Sequence, residues 1–157
     1  MNRLINTFLE IVQIDSITGH EVKMANWIYS KLVKIGLSPI RDSYGNIIAK
    51  VAGSGEPILL TAHLDTVEPG KNIKPIIEKG LIKSSNNTIL GADNKVAVAI
   101  ILELLENFAE NKINRSLEIV FTLSEEVGNY GAVNLDYSLL KSKVGYSFDS
   151  EGEIGTI

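Results

Sequence analysis

Six residues of this 157-residue chain have the types and spacing to hold a metal ion and move a proton: His63, Asp65, Asp93, Glu125, Glu126 and Asp149. His63 and Asp65 follow the apolar run 58–62, and Glu125 and Glu126 follow the apolar run 116–123. Asp149 ends a third run at 144–148, and Asp93 opens the longest helical pattern. Carboxylates gathered in one place repel each other and lose hydration, which raises their pKa values. A divalent cation is the natural compensation, and one imidazole among several carboxylates suits zinc, manganese or cobalt. Singly, each residue has a plainer role. His63 would be a satisfied core histidine and Asp93 a helix cap. Glu125 and Glu126 would favour the N-terminus of a following turn, and Asp149 would be a turn residue in Asp-Ser-Glu-Gly. Their shared placement at strand ends argues for a shared site.

The elements that must position them can be read from periodicity. Residues 3–13 form an amphipathic helix, and 20–35 a second helix stopped by Gly36. Residues 40–43 and 46–51 flank Tyr44-Gly45 as a hairpin. Residues 57–63 read as a strand buried on both faces. The stretch 71–90 is polar and broken, with short strands at 75–78 and 81–84. Residues 92–110 form a helix with a broad apolar face, and 116–123 a second buried strand. A short helix follows at 130–135, then a third buried strand at 144–148 and an apolar-leaning segment at 153–157. This alternation predicts an α/β domain with a mostly parallel central sheet and helices on both faces. The carboxyl ends of parallel strands lie along one edge, and ligands bind in the crevice outside it.

Composition narrows the partners. The net charge is −4 and the lysines and arginines are scattered, which argues against nucleic acid. There are no cysteines, so disulfides and thiolate-bound zinc are excluded and a reducing cytoplasm fits. The apolar residues near the N-terminus (Leu4, Ile5, Phe8, Leu9, Ile11, Val12) fall at helical spacing and do not form a signal peptide. No stretch stays apolar for the ~20 residues of a membrane helix. Gly53-Ser54-Gly55 precedes a strand instead of following one, so it is not a dinucleotide loop.

The segments AHLDTVEPG, GLIKS, TILGADNKVAVA, FTLSEEVGNYGA and FDSEG add a family likeness. Their order and approximate spacing resemble the co-catalytic zinc exopeptidases related to aminoacylase and glutamate carboxypeptidase, in particular the peptidase T-like tripeptidases. The resemblance implies a zinc-exopeptidase-like catalytic domain with two zinc ions, manganese or cobalt being alternatives. His63 and Asp149 would hold the first ion, Asp93 would bridge both, and Glu126 would bind the second. Asp65 would bond the other ring nitrogen of His63 and fix its tautomer. Glu125 would be the general base in hydrolysis of a short peptide substrate. The resemblance also implies a cis bond between Asp93 and Asn94. Asn94 stands where most close relatives carry a second acidic residue that is not the bridging ligand.

The family pattern needs one more histidine from far downstream, and a lid domain inserted after a strand like 153–157. His20 sits in the wrong motif and reads as a surface or capping residue. Residues 1–157 are therefore expected to be the N-terminal part of a metallopeptidase catalytic domain, truncated before the lid domain and the rest of the catalytic domain. Such a chain would bind the second ion weakly and turn over little. Carboxypeptidase and N-acyl amino acid deacylase are the alternatives within the family. A non-catalytic metal-binding or interaction domain is the alternative outside it, with an exposed sheet edge that could pair two copies as a homodimer. Glu125 speaks for an enzyme, since a pure binder has no use for a base beside the metal.

Overall fold

Local sequence accounts for the first elements. The computed structural model describes residues 2–149, so the expected strand at 153–157 and the Ser-Glu-Gly end of the FDSEG segment lie outside the described residues. Helix α1 (Arg3–Val12) is capped by Asn2, whose side chain accepts from the Leu4 N–H, and it buries Phe8, Ile11 and Val12 on one face. Helix α2 (Val22–Ile35) ends at Gly36 in the left-handed region, φ +98°. Strands β1 (Ile40–Arg41) and β2 (Ile47–Val51) form the expected hairpin. Asp42 Oδ1 ties its turn by accepting from the backbone N–H groups of Tyr44, Gly45 and Asn46. Strand β3 (Ile58–His63) follows, then β4 (Pro75–Glu78) and β5 (Leu81–Ser84), which pair with each other in a separate two-stranded sheet.

Helix α3 (Ala92–Asn111) carries the chain to β6 (Leu117–Thr122). The helix α4 (Tyr130–Val133) and a 3-10 turn (Tyr137–Leu139) then lead to β7 (Val144–Ser147). The main sheet has the order β1-β2-β6-β3-β7. Strand β3 is parallel to both β6 and β7, while the hairpin joins β6 antiparallel. The three strands that end in site residues are thus parallel, inside a sheet that is mixed.

Helices lie on both faces, but unequally. The face formed by Ile47, Ala49, Leu60, Ala62, Leu117, Ile119 and Phe121 packs against α1, α2 and α3 in one large core. The apolar cluster on the other face is small: Ile48, Val120 and Leu135 are buried there, with Leu59, Leu139 and Leu140 against them. The strand order explains the split. The connection from β3 to β6 runs one way across the sheet, and that from β6 to β7 runs back. Two crossovers of the same hand in opposite directions must lie on opposite faces. The chain therefore diverges after β3 and β6, and this divergence opens a crevice at their carboxyl ends.

Strand β7 differs from expectation. Among the described residues it is an exposed edge strand along its whole length. An apolar run such as Val-Gly-Tyr-Ser-Phe does not distinguish a strand covered on both faces from one at the rim. Among the described residues no helix is long and apolar enough to cross a membrane.

Glu118, buried on the thinner face of β6, fixes the approach to β7. Its carboxylate accepts from the Lys141 N–H (2.9 Å), the Ser142 N–H (2.8 Å) and the Ser142 hydroxyl (2.6 Å), and lies 3.2 Å from Lys50 Nζ. Burial opposes its charge. The bonds from Ser142, Lys141 and Lys50 prevail and hold its pKa at about 2, below the ordinary 4.5. The folded value is the lower one, so the contribution to stability is full above pH 4.5 and fades as pH falls towards 2. Replacement Glu118→Gln is expected to lower the unfolding free energy at neutral pH, with the deficit shrinking across that acid window. Urea unfolding at several pH values checks this, and a deficit constant with pH would refute it.

Candidate metal centre

The crevice gathers the titratable residues. His63 is the last residue of β3, paired across to Thr122 of β6. Its imidazole is buried, and Nδ1 lies 2.9 Å from the backbone carbonyl of Asp65. A carbonyl only accepts, so Nδ1 carries the hydrogen and Nε2 faces the crevice. Around Nε2 stand Asp93 Oδ1 at 3.2 Å, Asp149 Oδ1 at 3.7 Å and Glu125 Oε2 at 3.9 Å.

Two donor sets result, His63 with Asp93 and Glu126, and His63 with Glu125 and Asp149. Within each set the ligating atoms lie within 4.8 Å of one another. Asp93 is delivered by the kinked start of α3, where Asp93 (φ −81°, ψ 111°) and Asn94 (φ −113°, ψ 30°) leave helical geometry. The bond between them is cis. The Asp93 side chain is 76% exposed, the most open of the group. Asp149 is steadied by Asn94, whose Nδ2 donates to its Oδ1 at 2.8 Å.

Asp65 has a wider task than the one expected. Its Oδ1 lies 3.4 Å from His63 Nδ1, farther than its own backbone carbonyl, so the carbonyl is the nearer partner of the ring. The fully buried carboxylate accepts from the Thr18 hydroxyl (2.8 Å), the Glu125 N–H (2.9 Å) and the Glu126 N–H (3.1 Å). It thus seats the loop after β6 against the end of β3. Burial would push its carboxyl up, but the bonds from His63, Glu125, Thr18 and Glu126 bring it down to about 2.

The outer carboxylates behave differently. Burial raises the pKa of both Glu126 and Asp149, and neighbouring carboxylates add to the rise. Burial works against the charged form of His63, yet Asp65, Asp149 and Asp93 raise its pKa to about 9. Among the described residues no lysine or arginine pairs with Asp93, Glu125, Glu126 or Asp149. An oxygen-rich donor set with one imidazole and this unbalanced negative field fits a divalent cation.

Sequence reasoning passed over several supports. Thr18, Glu21 and Asn46 all bond into this region. Asn46 Oδ1 accepts from the Leu123 N–H, and its Nδ2 donates to the Gly131 carbonyl. Gly131 lies so close that an added Cβ would sit 2.2 Å from the Leu123 carbonyl oxygen. Asn46 reads from sequence only as the first residue of the hairpin strand 46–51. Lys95 is fully buried and donates to the Ile14 carbonyl at 2.7 Å. Its neighbourhood to Asp93 was the signal available. His20 is exposed, as expected.

The profile of peptidase family M28 matches residues 46–152. A tripeptidase of Staphylococcus aureus is 37% identical, with a TM-score of 0.92 over 96% of this chain and 43% of its own. An aminopeptidase of Bacillus cereus is 36% identical, with a TM-score of 0.93 over 98% of this chain and 44% of its own. A cytosol non-specific dipeptidase of Escherichia coli is 35% identical over 93% of this chain and 33% of its own. The chain spans less than half the length of each of these relatives.

Support and ligation separate by mutation. Replacement Asp65→Ala orphans buried donors and is expected to lower the unfolding free energy by about 3 kcal/mol. Replacement Asp93→Ala removes an exposed charge from a repulsive group and is expected to change it by no more than about 0.5 kcal/mol, or to raise it. Urea unfolding of the two variants beside the parent checks both.

Proposed function

The chain belongs to peptidase family M28, and on that footing we propose that it takes part in hydrolysing short peptides as an aminopeptidase or tripeptidase of the peptidase T-like kind. The proposed site holds two divalent cations, zinc by default. The reading rests on the convergence of His63, Asp93, Glu125, Glu126 and Asp149 in one crevice, with no lysine or arginine among the described residues paired to the carboxylates.

His63, Asp93 and Asp149 would hold one ion, and Asp93 with Glu126 the other. When bound, the cations supply Lewis acidity, polarising the scissile carbonyl and making a water acidic enough to lose a proton near neutral pH. The protein supplies the proton traffic. Glu125 accepts the proton of the attacking water and returns it to the leaving amine. Its backbone N–H is held by Asp65, so the base is carried on a fixed loop beside the imidazole. The bond from Nδ1 to the Asp65 carbonyl keeps the lone pair of Nε2 aimed at the crevice. Asn94 keeps Asp149 in place by donating to it.

Calorimetric titration with zinc tests the metal half of this reading. The parent is expected to take up zinc, and Asp93→Ala to lose at least about tenfold in affinity. Replacement Glu125→Gln is expected to keep the metal. It should also lower any tripeptide hydrolysis by about 100-fold or more. A folded parent without zinc uptake overturns the metal site, and a fully active Glu125→Gln removes the assignment of the base.

A further inference from the structure

We propose that Glu21 is a positioning residue for the Glu125–Glu126 pair, acting through Ser124; the inference rests on the metal-site reading above for its functional meaning. Glu21 occupies the N-cap position of α2, where a side chain ordinarily turns back to the helix's own first N–H groups. It makes no such bond. Its Oε1 reaches across the fold, over a sequence separation of 103 residues, to accept from the Ser124 N–H (3.1 Å) and the Ser124 hydroxyl (3.3 Å). The residue is 5% exposed, and among the described residues it has no lysine or arginine partner.

A carboxyl group buried without a cation, next to a crevice already rich in carboxylates, is an expensive choice for a helix cap. Its partner gives the reason. Ser124 is a non-glycine residue at φ +54°, in the left-handed region that L-residues uncommonly adopt. This is the last residue before Glu125, and its conformation sets the direction in which the next two side chains leave the backbone. Asp65 grips the N–H groups of Glu125 and Glu126 from one side of the loop. Glu21 grips Ser124 from the α2 side, and Asn46 grips Leu123. Four consecutive residues are thus fixed by three buried side chains from three separate elements. The partially positive N-terminus of α2 favours negative charge on the one that faces Ser124.

The test uses the whole chain and three replacements. Replacement Glu21→Leu removes the acceptor, Glu21→Gln keeps an oxygen at the same reach, and Glu21→Asp shortens the reach by one methylene. Two quantities are read: amide hydrogen exchange at Ser124 relative to amides in α1, and zinc affinity by calorimetry. In Glu21→Leu, exchange at Ser124 is expected to rise selectively and zinc affinity to fall by about tenfold. Replacement Glu21→Gln is expected to restore both. A merely structural role would move Ser124 and α1 together. The proposal is overturned if Glu21→Leu folds with Ser124 exchange and zinc affinity like the parent, or if Glu21→Gln is as impaired as Glu21→Leu. Should Glu21→Leu not fold, Glu21→Asp decides, and parent-like affinity and exchange in it overturn the proposal. If the parent itself takes up no zinc, the metal reading fails, and Ser124 exchange alone still decides whether Glu21 positions the loop.

Discussion

The structure turns on one buried anion. Asp65 has lost its water just past the end of β3 and has no lysine or arginine beside it among the described residues. A carboxylate in that position is tolerable only if it is fully hydrogen-bonded. The protein meets the demand with a hydroxyl from the loop after α1, two backbone N–H groups from the loop after β6 and an imidazole edge. Three distant segments must therefore meet at one point before the charge is paid for. That requirement pins the loop after β6, and with it Glu125 and Glu126, to the end of β3.

The contrast with the charges on the far side of the helices is instructive. Arg3 pairs with Glu103, Glu106 and Glu110 on α3, and Lys31 of α2 also reaches Glu106. These groups keep contact with water, so their mutual attraction is screened and contributes little. They staple three helices that apolar packing already holds together. Asp65 works in the opposite regime, where removing any partner leaves an unpaired polar group in a dry place.

Much of this was legible in the sequence, for a definite reason. Parallel strands declare themselves as apolar runs, and a titratable residue at the end of such a run has few places to be except the carboxyl edge of the sheet. His63, Glu125 and Asp149 are found this way. The supports are not. Glu21 and Asn46 read only as members of the helix 20–35 and the strand 46–51, because their partners, Ser124, Leu123 and Gly131, lie 77 to 103 residues away. The exposure of β7 was also hidden, because periodicity reports how apolar a segment is, not what covers it. The uneven covering of the two faces depended on strand order, which no local pattern carries.

That strand order has a bearing on how the chain is made. Strand β3 finds both of its neighbours, β6 and β7, later in the sequence. A chain synthesised from its N-terminus thus exposes β3, with apolar side chains on both faces and two unpaired edges, while the next half of the molecule is still being added. The early helices and the β1–β2 hairpin can form from local contacts, but the strand that carries His63 must wait. Such a strand is prone to pair with the wrong partner during synthesis. Placing His63 on it ties the candidate site to the arrival of β6 and β7.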